Sequence, residues 1–244
     1  MPTTTFTPEQ SARYRGHLSL CEIDLPGQQA IASAKVLIIG AGGLGSPVAL
    51  YLAAAGVGTI GIVDPDTVSL SNLQRQIMHG TPDLGRPKVD SARDSIGLVN
   101  PHTRVEPHPV FLTDDNAREL IGGYDIIVDC TDNLPTRLLI NDTCVATGRP
   151  YVYGAVSRFS GQVFTHLPGT ASYRDIFDTQ QNSDTLPCSI NGILNTVVGV
   201  VGTLQATEVI KHIVGTGDLL TDRLLVFDAL AMTFNTFVIS PIAH

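Results

Sequence analysis

Four short stretches of the chain, with one aspartate between them, hold residue types that could do chemistry together. Gly40-Ala41-Gly42-Gly43-Leu44-Gly45 has glycine at its first, third and sixth positions. That spacing permits a tight turn and lets backbone N–H groups approach a phosphate at a helix N-terminus. Asp64 closes the next apolar run, where a carboxylate can accept hydrogen bonds from both hydroxyls of a ribose. Asn72-Leu73-Gln74-Arg75-Gln76 and Gly85-Arg86-Pro87-Lys88 follow it. Two cations, Arg75 and Lys88, together with Asn72 suit a triphosphate gathering charge better than a pyrophosphate linker. In Asp129-Cys130-Thr131-Asp132-Asn133, Asp132 is placed to hold Mg²⁺ on phosphates, and Asp129 is assigned to the turn that enters the following helix. Each residue alone has a plainer use: a solvated charge for Arg75 or Lys88, a helix cap for an aspartate, a ligand-free turn for the glycines.

The surrounding pattern supplies elements that would bring these stretches together. Residues 35–39 are a short, continuous apolar run, the mark of a parallel strand buried on both faces. Residues 59–64, 124–129 and 151–155 read as further strands, and residues 46–55, 86–99, 113–121 and 134–146 as the helices between them. Residues 103–110 carry Pro107 and Pro109 and so read as an edge strand. Strands alternating with helices imply a Rossmann-like α/β fold, with a doubly wound, mostly parallel sheet. After Arg158 the pattern changes to strands at 162–166, 224–227 and 233–239, an added antiparallel portion. A long helix spans 190–214, and its Gly199, Gly202 and Ala206 form a stripe that admits close backbone packing. The organisation expected is a helical segment over 1–34, broken at Leu25-Pro26-Gly27. A nucleotide-binding core over 35–168 and a mobile crossover loop over 169–188 follow, and 189–244 completes the same domain.

Composition narrows the function. Of 244 residues, 15 are Lys or Arg and 23 are Asp or Glu, for a net charge of −8. A sequence-independent nucleic-acid binder needs a basic face, so nucleic acid is not expected as a partner. The 4 cysteines form no Cys-x-x-Cys pair, which argues against a disulfide scaffold or a structural zinc of common spacing. Polar residues interrupt the most apolar stretch, 190–213, so no membrane partner is expected, and cytoplasmic location is the default. Cys130 and Cys144 read as core residues.

Taken in order, these motifs resemble the ThiF/MoeB/HesA family, the bacterial relatives of ubiquitin-activating enzymes. The likeness runs from Arg13-Tyr14 to Val226-Phe227-Asp228-Ala229 and includes the stretch 199–206. The resemblance implies an ATP-dependent adenylyltransferase that activates the C-terminal glycine of a small, Gly-Gly-ended ubiquitin-like sulfur carrier and releases pyrophosphate. It also implies a homodimer and a sulfur donor as a possible further partner. By family pattern Asp64 holds the ribose, Asn72, Arg75 and Lys88 contact phosphates, and Asp132 coordinates Mg²⁺. Gly40, Gly42, Gly43 and Gly45 line the nucleotide. Cys188 falls where the family often has a cysteine, and is a candidate acceptor thiol. Rival readings are an NAD-dependent oxidoreductase, which leaves Arg75, Lys88 and Asp132 without a reason, and a non-catalytic adenylation fold kept for protein contact. A peptide or tRNA-borne carboxylate is the alternative acyl substrate.

The sequence departs from that family twice. Many members hold a structural zinc with two Cys-x-x-Cys pairs; here Ser172 and Asp175 stand at the first pair. No zinc is therefore expected, and packing of the long helix is expected to hold the segment after Pro168. Gly16 stands where the family has a second arginine that reaches the other subunit's ATP, which leaves Arg13 or Arg15 as substitutes.

Overall fold

The computed structural model describes residues 5–177 and 192–239. β1 (Lys35–Ile39), β2 (Thr59–Val63), β3 (Arg104–His108), β4 (Ile126–Asp129) and β5 (Tyr151–Ser157) run parallel. β6 (Ser160–His166), β7 (Arg223–Asp228) and β8 (Thr233–Val238) continue the same sheet antiparallel. The spatial order is β3-β2-β1-β4-β5-β6-β7-β8. The chain leaves β1 to build one side and returns to β4 for the other, so a crevice opens beyond the carboxyl ends of β1 and β4.

The apolar runs fill both faces, as their lack of polar alternation requires. Val36 and Ile38 of β1, Ile60 and Ile62 of β2, and Ile126 and Val128 of β4 enter one core. The intervening Leu37, Ile39, Val63 and Ile127 enter the other. The first core is closed by α4 (Gly45–Ala55), α5 (Lys88–Val99) and α9 (Asn195–Val214); the second by α6 (Asp114–Gly122) and α7 (Leu134–Thr147). β3 takes the edge position, and of the two expected strand prolines it contains Pro107, while Pro109 follows its end.

Differences from expectation have local causes. Leu25-Pro26-Gly27 does not break the N-terminal segment. It forms the opening turn of α3 (Asp24–Ser33), where a proline's missing N–H costs nothing. Ahead of it lie α1 (Pro8–Arg13) and α2 (Arg15–Leu18). Within the small-residue stripe Gly202 serves packing inside the chain: a Cβ there would strike Pro47 and come within 2.9 Å of the Leu44 carbonyl oxygen, so α9 lies directly on α4, whereas a Cβ on Gly199 would meet nothing within 4 Å. By length and apolar composition α9 would also suffice to cross a bilayer. Here Gln205 and Glu208 are fully or nearly buried and bind it to the sheet. Gln205 Nε2 donates to the Asp129 carbonyl at 2.8 Å, and Glu208 accepts from Thr165 Oγ1 at 2.6 Å.

The crossover segment is described as far as residue 177, and its expected remainder over 178–188 lies outside the described residues. The described first part is held by α7, by an aromatic cluster and by Asp222, whose Oδ1 accepts from Ala171 N at 2.7 Å. Ser172 and Asp175 cap α8 (Tyr173–Ile176), with Ser172 N and Oγ both 2.7 Å from Asp175 Oδ2. Asn141 Oδ1 accepts from Tyr173 N at 2.9 Å, and Arg174 forks onto Asp142 with two 2.6 Å contacts. Tyr173 and Phe177 then pack on Tyr153.

Candidate active site

A cavity of about 560 Å³ opens at the switch point between β1 and β4. Gly40, Gly42, Gly43, Asp64, Arg75, Lys88 and Asp132 all line it. Each reaches it by a short backbone device. Gly40 leaves β1 with φ of 101°, and a Cβ there would sit 2.7 Å from the Cys130 carbonyl oxygen. Gly45 does not line the cavity, yet it lets α4 begin directly over the loop: a Cβ on it would collide with the Gly40 carbonyl oxygen. The N-terminus of α4 therefore points its free N–H groups and positive dipole end at the crevice.

The segment after β2 turns back through residues 66–68, which pair with residues 85–88. Val68 N donates to the Arg86 carbonyl and Lys88 N to the Asp66 carbonyl, each at 2.9 Å. That pairing starts α5 at Lys88 beside Asp64. A cation in the first turn of a helix opposes the helix dipole, and two carboxylates compensate. Lys88 Nζ lies 2.8 Å from Asp66 Oδ2 and 3.8 Å from Asp64 Oδ1. Asp64 also accepts from Ala41 N at 2.8 Å and from Asp66 N at 2.9 Å. Burial pushes the Asp64 carboxyl above the ordinary carboxylate range, against the pull of Lys88 and these donors.

Across the crevice, Asp129 is buried, and its Oδ1 takes the Thr131 N–H at 2.9 Å and the Thr131 hydroxyl at 2.7 Å. Burial raises its pKa, opposed by Arg137. Asp129 thus holds the turn, while the cap of α7 is Asn133, which accepts from Thr136 N at 3.0 Å. This leaves the exposed Asp132 carboxylate without a hydrogen bond or ion pair among the described residues.

Other expected residues are placed differently. Asn72 does not line the cavity; its Oδ1 faces Ser69 N at 3.4 Å, closing a 3₁₀ turn. Arg13 donates to the Val99 carbonyl at 2.8 Å, at the far end of α5. The exposed guanidinium of Arg15 has no partner among the described residues. Cys130 and Cys144 are buried, and burial raises both thiol pKa values, so neither is a ready thiolate. Cys188 lies outside the described residues.

Three residues without an assigned role from sequence join the site. Gln76 and Arg137 line the cavity, and Gln76 Oε1 and Arg137 Nε are buried without a hydrogen-bond partner among the described residues. An orphaned polar atom costs about 1–3 kcal/mol, which a polar ligand can relieve. Arg137 also donates to the Thr131 carbonyl at 2.8 Å and so braces the Asp132 turn. Its signal was the lone cation of α7, placed in the first turns directly after the Asp132 stretch. His79, the third, lies beneath the glycine loop.

A glycine loop at the switch point of a doubly wound sheet, ringed by these charges, defines a Rossmann-like α/β protein. The ThiF family model matches residues 14–243, and the chain belongs to that family. It is 46% identical over 244 residues to the probable adenylyltransferase/sulfurtransferase MoeZ of Mycobacterium tuberculosis, covering 98% of this chain and 62% of MoeZ. It is 42% identical over 235 residues to the SAMP-activating enzyme E1 of Haloferax volcanii, covering 96% of this chain and 87% of that protein. The chain therefore spans only about three fifths of MoeZ. Among solved structures, PaaA superposes with a TM-score of 0.82 at 23% identity, covering 98% of this chain and 77% of PaaA. Escherichia coli MccB with ATP gives 0.76 at 23% identity, covering 88% and 66%. At that identity these two speak for the fold.

Proposed function

We propose that the protein is an ATP-dependent adenylyltransferase that activates the C-terminal glycine carboxylate of a small ubiquitin-like sulfur carrier. The observation that carries the reading is the convergence of Asp64, Arg75, Lys88 and Asp132 on one cavity beneath a glycine loop and helix N-terminus. The relatives named adenylyltransferase or SAMP-activating enzyme support it. A nicotinamide enzyme would give two of those charges, Arg75 and Asp132, nothing to do.

In this reading Asp64 accepts from the ribose hydroxyls. The loop N–H groups, Arg75 and Lys88 bind the phosphates. One oxygen of the glycine carboxylate attacks the α-phosphorus, a P–O bond forms, the bond to the bridging oxygen of the β-phosphate breaks, and pyrophosphate departs. The residues contribute position and charge, with no covalent step of their own. The site also fits Mg²⁺. Asp132 is a hard oxygen donor at the cavity rim without a protein partner, and no cluster of three or more metal-ligating side chains occurs among the described residues. That suits an ion held by one carboxylate and the nucleotide's own oxygens. Bound there, it would neutralise charge on the departing pyrophosphate.

The protein acts as a homodimer in this reading, with Arg15 as the better-placed substitute for the missing arginine at Gly16, because Arg13 is engaged with Val99. Cys188 is the acceptor thiol for a later transfer, and a separate sulfur donor completes the chemistry. Free thiols at Cys21, Cys130 and Cys144 accord with a reducing, cytoplasmic setting. The test is isotope exchange between pyrophosphate and ATP with a panel of Gly-Gly-ended carriers. Exchange is expected with one carrier and lost in Asp132→Ala. Unchanged exchange in that variant would remove the metal assignment, and no exchange with any carrier would remove the function.

A further inference from the structure

His79 is buried, and both of its ring nitrogens are engaged. Nε2 lies 2.9 Å from the Ala41 carbonyl oxygen and Nδ1 lies 2.8 Å from Ser91 Oγ. A carbonyl only accepts, so Nε2 carries the proton; burial lowers the pKa of the ring and favours its neutral form, in which Nδ1 accepts from the Ser91 hydroxyl in competition with the Asp83 carboxylate. Ser91 lies on α5, and Ser95, one turn further along the same face, donates to the Met78 carbonyl at 2.6 Å. The segment carrying His79 is thus pinned to α5 at two points.

The residue gripped at the other end is the second of the glycine loop. Its N–H donates to Asp64, which faces Lys88 at the start of α5, and its carbonyl accepts from His79, which is held from the middle of α5. Both peptide planes flanking Ala41 are therefore tied to one rigid helix through two separate side chains. A trans peptide is planar and sets its N–H antiparallel to its C=O. With the Ala41 carbonyl turned toward His79, the N–H of the same peptide, that of Gly42, is turned away from it. Gly42 lines the cavity, and its N–H has no protein acceptor among the described residues.

We infer that His79, locked as the neutral Nε2–H tautomer by Ser91, is a positioning residue that orients the Gly42 N–H toward a nucleotide phosphate. The role goes beyond holding the fold, because the bond it makes decides the direction of a donor in the binding loop. A preset donor saves the cost of ordering the loop when the phosphate arrives. The inference rests on the proposed use of ATP.

The experiment uses the full chain and two probes, magnesium-ATP and adenosine, titrated by calorimetry with a thermal melt of each protein. His79→Leu removes the donor. His79→Gln carries a side-chain N–H that can reach the place of Nε2. Ser91→Ala leaves the imidazole but frees its tautomer. In His79→Leu the dissociation constant for magnesium-ATP should rise about tenfold, while that for adenosine, which has no phosphate, should change less than about twofold. His79→Gln should recover most of the affinity, and Ser91→Ala should fall between. A merely structural role predicts another pattern: fewer competent sites per molecule, a lower melting temperature, unchanged dissociation constants and no rescue by Gln. That pattern overturns the inference, as does equal weakening of both probes. Should His79→Leu fail to fold, Ser91→Ala against wild type decides by the same two probes. A wild type that binds no magnesium-ATP overturns the proposed function and this inference with it; an ATP-binding wild type with unaffected variants overturns this inference alone.

Discussion

Lys88→Met is the sharpest test of the electrostatics at this site. The Lys88 and Asp64 side chains are 7% and 8% exposed, so solvent does little to screen their 3.8 Å separation. At an effective dielectric of about 20, two unit charges at that distance attract by roughly 4 kcal/mol. Methionine keeps the length and apolar stem of lysine and removes the charge. Breaking a buried pair by removing one partner costs about 3–5 kcal/mol. Asp64 keeps the Ala41 and Asp66 N–H donors and can take up a proton, which brings the expected loss to about 2–3 kcal/mol. In a chain of this size that lowers the melting temperature by roughly 4–12 °C. The pH dependence gives the sign. Burial already holds the Asp64 carboxyl above its ordinary value of 3.8, with Lys88 pulling it down. Without Lys88 it rises further. A carboxyl whose folded pKa exceeds its unfolded one gives stability that is complete below the unfolded value and lost as pH rises through the folded value. The deficit of the variant should thus be widest at neutral pH and narrow as acid is added. Melts of both proteins by circular dichroism at neutral pH and at about pH 5 would read it. A variant melting with wild type at neutral pH, or a gap that stays constant on acidification, would refute the pairing.

Other perturbations separate packing from polar satisfaction. Gly45→Ala drives a Cβ into the Gly40 carbonyl and should cost about 1–3 kcal/mol and abolish magnesium-ATP binding, whereas Gly97→Ala, inside α5 with nothing within 4 Å, should stabilise by about 0.5–1 kcal/mol in the same urea titration. Like signs for the two would contradict the close-approach argument. Asn141→Leu takes away the acceptor shared by Tyr151 Oη at 2.8 Å and Tyr173 N at 2.9 Å, and should cost about 1–3 kcal/mol while raising amide exchange across residues 173–176. Exchange there at the wild-type rate would show that α8 is held by something else.

Much of the fold was legible because its signals are local. The runs at 35–39 and 59–63 alternate residue by residue between two cores, which follows from strand geometry alone. Pro107 marked β3 as an edge strand for want of an N–H donor. Where expectation and structure part, the deciding partner is local in some cases, as at Pro26, and far away in sequence in others. Pro26 looked like a helix breaker until its position in the first turn of α3 was known. The Gly199–Gly202–Ala206 stripe carries no label for its neighbour, and the neighbour of Gly202 proved to be α4. The described part of the segment after Pro168 leans on Asn141, Asp142 and Tyr153, partners twenty to thirty-odd residues away.

The same division runs through the site. By itself the sequence determined the glycine turn, the acids at the strand ends and the cations that follow, since each is a matter of residue type within a few positions of a strand end. Only the tertiary structure decided which of those groups stay free. Arg13 is consumed by the end of α5, and His79 grips a carbonyl distant in the chain, whereas Asn72 and Asp129 are held by partners three and two residues away and Asp132 keeps its carboxylate open. The reason is physical. A polar side chain takes whichever partner the fold brings within hydrogen-bonding distance, and that geometry arises from packing layers of helix on sheet, which no short window of residues contains.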